Sequence, residues 1–199
     1  MNTQYWNNRY IKGETGWDMG QVSPPLKAYI DQLYNRDIRI LIPGGGNSYE
    51  AMYLAGHAFS DVTVLDIAPT LVERLRETFS RTRVKILEED FFAHTGVYDL
   101  ILEQTFFCAI DPSLRTDYVK HMYSLIRPGG HLVGVLFDRN FSHAGPPYGG
   151  TEEEYRKLFE DDFEFKTLQP CYNSHPARQG SELFINFIPK MKKICNDFF

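Results

Sequence analysis

Several kinds of residue and segment are scarce in this sequence, and each scarcity excludes something. Cysteine is rare: Cys108, Cys171 and Cys195 are three in 199 residues, too few and too scattered for a disulfide framework or a four-cysteine zinc site. No metal is therefore expected. No apolar run approaches the ~20 residues that a bilayer-spanning helix needs, so no membrane partner is expected either. The start, MNTQYWNNRY, lacks the basic residues and apolar stretch of a secretory leader, which points to a cytoplasmic protein. Basic residues are in deficit, 21 against 26 acidic ones, and a net charge of -5 argues against general nucleic-acid binding. No repeat, low-complexity stretch or long linker divides the chain, so residues 1–199 read as a single domain. The tail KMKKICNDFF (190–199) carries no oligomerisation signature.

Aromatic residues, by contrast, are abundant: 2 Trp, 12 Tyr and 15 Phe make 15% of the chain, and several lie outside obvious core segments. From residue 38 onward, short β-branched runs alternate with helical patterns. Residues 38–43 (IRILIP), 62–67 (VTVLDI), 83–87, 98–103 (YDLILE) and 131–137 (HLVGVLF) read as strands. Helical spacing falls on Ala51, Met52, Leu54 and Ala55, capped by Asn47 or Ser48 and closed by Gly56. It returns on Leu71, Val72, Leu75 and Phe79 behind Pro69, and on Leu114, Tyr118, Met122 and Leu125. Arg127-Pro128-Gly129-Gly130 reads as a turn. Near-continuous apolar strands alternating with helices predict a parallel sheet covered on both faces. After a Gly/Pro-rich loop (138–150), Thr151 and three glutamates open a short helix. Two alternating strands follow, 163–168 and 182–188, too close in sequence for a crossover helix and so expected to pair antiparallel. The prediction is an α/β fold, a doubly wound, mostly parallel seven-stranded sheet of Rossmann-like type ending in an antiparallel hairpin. Residues 1–37 precede it and must cover something.

In an open sheet of this kind, ligands bind beyond the carboxyl ends of the strands, where strand order reverses. Gly44, Gly45 and Gly46 follow the first strand and let the backbone approach a ligand closely. Tyr49 stands where a dinucleotide fingerprint needs a small residue, and no Gly-Lys-Ser/Thr follows. Asp66 ends the second strand, placed to accept from both hydroxyls of a ribose, although it also suits a helix N-terminus. Asp90 and Phe91 end the third, a carboxylate for an exocyclic amine beside a ring for a base face, with Phe92 read as core. An adenosine without a pyrophosphate fits all three ends.

These residues, taken in order, resemble class I S-adenosylmethionine-dependent methyltransferases, and specifically the thiopurine/thiol/halide methyltransferase family. The resemblance covers roughly residues 6–188. It is carried by WNNRYIKGETGWDMG (6–20), LIPGGGNSYEA (41–51), LDIAP (65–69), EDFF (89–92), ILEQTFFCAI (101–110), LIRPGGHL (125–132) and GPPY (145–148). It implies S-adenosyl-L-methionine as cofactor and a small-molecule methyl acceptor. It also makes residues 1–37 a lid or cap, with Trp6, Tyr10 and Trp17 closing over the cofactor. It implies that Gly44 to Gly46 face the methionine part and ribose, that Asp66 holds the ribose, that Asp90 and Phe91 read adenine, and that Gln104 lies beside the sulfonium. The chain departs from the family's usual residues at three of these positions: many relatives have Trp at Tyr10, Cys at Gly45 and Tyr at Gln104.

Ring faces attract a sulfonium, and a closed lid keeps water from the methyl group. A thiol acceptor ionises partly by itself near neutral pH, so a dedicated base is unnecessary, and the sequence offers no nucleophile–base pair. Cys108 reads as a small core residue. Acceptor-side candidates are Phe106, Arg139 and Tyr148, with His143, His175 and Arg178 behind them; the histidines read better as solvated. Arg139, directly after the fifth strand, ranks first because it suits an anionic acceptor. Two other classes remain open at this point, a non-catalytic adenosine-binding module and a nicotinamide oxidoreductase.

Overall fold

The computed structural model describes residues 2–191, so most of the 190–199 tail, with Cys195, lies outside the described residues. Seven strands form one sheet: β1 (Arg39–Pro43), β2 (Asp61–Asp66), β3 (Lys85–Glu88), β4 (Tyr98–Gln104), β5 (Ile126–Phe137), β6 (Phe163–Pro170) and β7 (Glu182–Pro189). Their spatial order is β3-β2-β1-β4-β5-β7-β6. The first five run parallel, whereas β7 lies antiparallel to β5 and β6 antiparallel to β7. The chain winds outward from β1 to β3, then returns to place β4 on the other side of β1. That reversal opens the crevice between β1 and β4 in which ligands of such sheets bind.

Helices cover both faces because the strands are apolar on both. On one face α2 (Pro24–Ile30), α3 (Tyr49–Gly56) and α4 (Pro69–Thr78) bury Leu26, Ile30, Ala51, Leu54, Leu71 and Leu75 against Ile40, Ile42, Val62 and Val64. On the other, α5 (Arg115–Leu125) and α6 (Glu152–Phe159) bury Tyr118, Met122, Tyr155 and Phe159 against Ile101, Leu132, Ile185 and Phe187. Each such side chain contributes about 1.5–3 kcal/mol relative to exposure. Helix starts follow local chemistry. Pro69 occupies the first turn of α4, and Thr151 with Glu154 forms a capping box on α6. Among the described residues no helix is long and apolar enough to cross a membrane.

The structure differs from the sequence expectation in four places. Residues 127–130 are not a free turn but the opening of β5, where the pairing with β4 shifts register between Tyr98 and Leu100. α3 ends at Gly56, but the left-handed residue beyond it is Ala58, at φ 62°. Residues 3–12, to which the sequence reading assigns no element, form α1 (Thr3–Lys12), capped by the Asn2 side chain and by left-handed Gly13. Finally, residues 1–37 divide in two: α1 and the loop to Gly20 lie over the strand ends, whereas Leu26 and Ile30 of α2 are fully buried core.

Candidate active site

The carboxyl ends of β1, β2 and β4 converge on the glycine loop. Gly44 and Gly46 adopt φ 55° and 52°, a region disfavoured for side-chain-bearing residues. A Cβ on Gly44 would lie 2.2 Å from Phe106 Cδ2, and one on Gly45 would lie 2.5 Å from Val64 Cγ1. The packing around Gly45 therefore leaves no room for a side chain. Ser48, at φ 56°, turns the loop into α3 without capping it by its side chain.

Asp66, at the end of β2, is 8% exposed. Its Oδ1 accepts from the Ala68 N–H at 3.0 Å and its Oδ2 from the Gly46 N–H at 3.4 Å. Burial pushes this carboxyl up to about 6, against the pull of those N–H donors.

Three rings of the N-terminal segment come together above this point. Trp6 and Tyr10 of α1 each meet Trp17 edge to face, at centroid distances of 5.6 and 5.7 Å. The Tyr10 hydroxyl lies 3.6 Å from where a Gly46 Cβ would stand, and burial, then the nearby Asp66, hold it well above the ordinary phenol range. Several side chains tie this segment to the body. Asn7 Oδ1 accepts the Thr70 N–H at 2.8 Å, supplying the cap that Ala68 cannot provide for α4. Asp18 accepts from Asn47 Nδ2 and from the Tyr49 hydroxyl, while Arg74 Nη2 donates to Asn47 Oδ1 at 2.8 Å. Arg178 Nη2 donates to the Trp17 carbonyl at 2.7 Å.

At the end of β3, Asp90 is exposed and its Oδ1 accepts from the Phe92 N–H at 2.9 Å. The burial of the two phenylalanines is the reverse of that expected from sequence. Phe91 is 5% exposed and packs on Phe106 and Tyr118, whereas Phe92 is 36% exposed. The short 3-10 turn at Phe91–Ala93 rotates the first ring into the core and leaves the second outside.

The end of β4 is the most constrained part. Thr105, a β-branched residue, adopts φ 58°, an outlier of the sort that clusters at functional sites. Both polar atoms of the Gln104 amide are buried without a hydrogen-bond partner. Glu103, the residue before Gln104 in β4, is fully buried. Its Oε1 accepts from the Phe106 and Phe107 N–H groups at 2.8 and 2.9 Å, and its Oε2 from the Tyr118 hydroxyl at 2.6 Å. Burial pushes Glu103 up to about 7 and the neighbouring Cys108 thiol up to about 12. Cys108 is thus a buried, un-ionised thiol, as its sequence context predicts.

On the far side, Arg139 and Tyr148 lie on the 138–150 loop. Arg139 is exposed, its guanidinium 4.8 Å from the Phe141 ring, and its carbonyl accepts the Gly150 N–H at 3.1 Å. The Tyr148 N–H donates to the Cys108 carbonyl at 2.7 Å, which brings this loop beside the β4 turn. His143 is exposed, and His175 Nδ1 accepts the Ala177 N–H at 3.3 Å as a local cap. Arg178 is no open acceptor contact: it is 9% exposed and pairs with Glu182 at 3.4 Å as well as with Trp17. Among the described residues no cluster of three His, Cys, Asp or Glu could hold a metal. Glu103, Asn7 and Arg178 were missed in these roles. For Glu103 a signal existed, a carboxylate directly ending the apolar run Leu100-Ile101-Leu102.

A glycine loop after β1, an acid ending β2, an aromatic cover and an antiparallel hairpin beyond five parallel strands define a class I methyltransferase. The chain belongs to the thiopurine S-methyltransferase family, which it matches over residues 1–186, and it is an S-adenosylmethionine-dependent enzyme. It is 33% identical over 159 residues to probable thiol methyltransferase 2 of Arabidopsis thaliana, spanning 77% of this chain and 70% of that protein. Thiocyanate methyltransferase 1 of Brassica oleracea is 32% identical over 184 residues, 89% of this chain and 81% of its own length. Among solved structures, 1,6-didemethyltoxoflavin-N1-methyltransferase of Burkholderia thailandensis superposes with a TM-score of 0.77 at 19% identity, over 94% of this chain and 87% of that one, and so shares the fold. Family membership sets aside the nicotinamide oxidoreductase and the non-catalytic module.

Proposed function

We propose that the enzyme methylates a small, soft nucleophile, a thiol, thiopurine or halide-type acceptor, at the carboxyl ends of β1, β2 and β4. The observation that carries the site is the Gln104 amide. A buried amide with neither atom paired costs about 1–3 kcal/mol, a cost that a bound polar ligand removes. The glycine cradle and the Asp66 carboxylate at its rim support the same place.

S-adenosylmethionine, when bound, supplies an electrophilic methyl group on a cationic sulfur and its own leaving group. The protein's part is to bind, orient and dry the site. Asp66 would hold the ribose hydroxyls, the main chain of Gly44 to Gly46 would lie against the ribose and methionine part, and Gln104 would border the sulfonium. Asp90 would accept from the adenine amine with its second oxygen. Phe91 serves behind them as a buttress for Phe106 rather than as an open base platform. Trp6, Tyr10 and Trp17, the last two already with Arg74 and Arg9 over one ring face, would each contribute about 0.5–2 kcal/mol to holding a desolvated cation, and residues 2–20 would act as a lid. Orientation of this kind supplies up to ~7–11 kcal/mol of the barrier.

No general base is assigned, and the site's chemistry makes none necessary. Glu103 is occupied by three donors and Cys108 stays un-ionised, whereas a free thiol near ~8.5 is already a few per cent thiolate. Arg139, Tyr148 and Phe106 would border the acceptor. The test is release of S-adenosylhomocysteine over a panel of thiols, a thiopurine, halides, thiocyanate, amines and alcohols. Turnover confined to sulfur and halide nucleophiles is expected. Turnover on amines or alcohols alone would overturn the assignment.

A further inference from the structure

Glu103 holds a fully buried carboxylate for which the described residues provide no ionic partner. Two guanidiniums that act on the neighbouring Cys108 are otherwise engaged: Arg178 pairs with Glu182 at 3.4 Å, and Arg115 donates to the Gly149 carbonyl at 2.8 Å over the Phe107 ring. Three neutral donors hold the carboxylate instead, two from the turn itself and one from Tyr118 of α5. The other ionisable groups beside this spot are Cys108 in the turn and Glu182 of β7 across a small cavity, neither of which brings positive charge. Donors favour the ionised form and burial opposes it, leaving the group balanced near neutrality, at about 7.

A balanced buried acid responds to any charge placed nearby, because the interior screens poorly. The turn that Glu103 anchors carries Gln104, strained Thr105 and Phe106, whose ring fills the space above Gly44. Whatever sits against Gln104 therefore lies within the field of Glu103. The two forms of the cofactor differ there by one charge: the methyl donor has a cationic sulfur and the demethylated product a neutral one.

We infer that Glu103 discriminates methyl donor from product by charge, standing ionised beneath a sulfonium and taking up a proton from solvent when a neutral thioether is left in its place. The inference rests on the proposed cofactor site and adds to it a reason for product to leave. Asp66 does not confuse the matter, since the ribose it is proposed to hold is common to both molecules and its titration cancels in the ratio of their affinities.

The test is calorimetric binding of S-adenosylmethionine and S-adenosylhomocysteine from pH 6 to 8.5, with the wild type and with Glu103→Gln. The ratio Kd(S-adenosylhomocysteine)/Kd(S-adenosylmethionine) should rise with pH about three- to tenfold more in the wild type than in the variant, the size that a pKa change of half to one unit gives. Comparing the two proteins removes the ligands' own amino-group titration. Tyr118→Phe, which deletes one donor to the carboxylate, should move the midpoint of the wild-type curve to higher pH, and it serves where Glu103→Gln fails to fold. Ratio curves that coincide in all proteins that fold would overturn the inference while leaving the site intact. If Asp66→Asn leaves both affinities unchanged, the site itself is misplaced and the inference falls with it.

Discussion

Two segments cross the carboxyl ends of the strands, and they are fastened in different ways. The N-terminal cover, held together by three packed rings, is tied by side chains to four separate elements: Asn7 to α4, Asp18 to the glycine loop and to α3, and Arg178 of the β6–β7 connection to Trp17. The 138–150 loop is tied near its ends and largely through main chain, by Gly150 to Arg139, Tyr148 to Cys108, and Arg115 to the Gly149 carbonyl. Side-chain ties depend on particular residues, whereas main-chain ties tolerate almost any. A fold that always uses one cofactor gains from the first arrangement on the cofactor side. One that meets different acceptors gains from the second on the acceptor side.

The comparison is tested most severely at Asp66. Removing its charged acceptor should weaken S-adenosylmethionine by about 1.5–3 kcal/mol, or 10- to 150-fold, in Asp66→Asn. Stability should move the other way. The folded value of about 6 lies above the ordinary 3.8, so between those values the folded protein holds a proton that the unfolded chain releases. The stability linked to Asp66 is therefore complete below about pH 4 and lost as pH rises through about 6. The Asn variant should melt above the wild type at pH 7.5, by at most about 3 kcal/mol, with the difference closing below pH 4. A variant that binds normally would make Asp66 a simple helix-end charge.

The cover itself comes next. No residue of α1 is fully buried, and its half-buried Trp6 and Tyr10 only border one core, so removing residues 1–20 should leave both cores folded. Cofactor binding should fall at least about tenfold with the loss of three rings worth about 0.5–2 kcal/mol each, and turnover should fall with it. In the whole chain, amide exchange across residues 5–18 should slow on adding cofactor. Full activity of the shortened protein, with exchange indifferent to cofactor, would show that the tethers merely fasten a terminus.

The same contrast explains what could be read from the sequence. β1 to β5 were legible because buried strands are written as apolar runs, and the glycine loop and Asp66 because their types are tied to backbone shape at a strand end. The boundary of β5 was not, since Arg127-Pro128-Gly129-Gly130 carries turn residues that here form a register shift inside a strand. α1 was not, because its polar sequence shows no apolar stripe and its partners lie on α4, over sixty residues away. Phe91 and Phe92 could not be told apart by type; a single 3-10 turn decides which ring faces inward. Glu103 and Arg178 gain their meaning from Tyr118 and Trp17, contacts that only the folded chain brings together.

The smallest expected effect lies on the acceptor side and bears most directly on the contrast. Arg139 is exposed, its guanidinium stacked on Phe141, and its tie to Gly150 runs through its carbonyl, which any residue retains. Arg139→Met keeps the apolar stem and removes the charge. Melting temperature and the Kd for S-adenosylmethionine should stay as in the wild type, because the ties of the cofactor cover do not pass through this residue. What should change is the KM for an anionic acceptor, raised a few-fold as befits an exposed charge pair of about 0.2–1 kcal/mol, while the KM for an uncharged thiol stays put. That rise should shrink in high salt, where the wild type loses the same attraction. If both acceptors weaken equally, Arg139 acts through loop shape and not charge. If cofactor affinity drops as well, the two covers are coupled, and the division between a tethered cofactor side and a loosely held acceptor side fails.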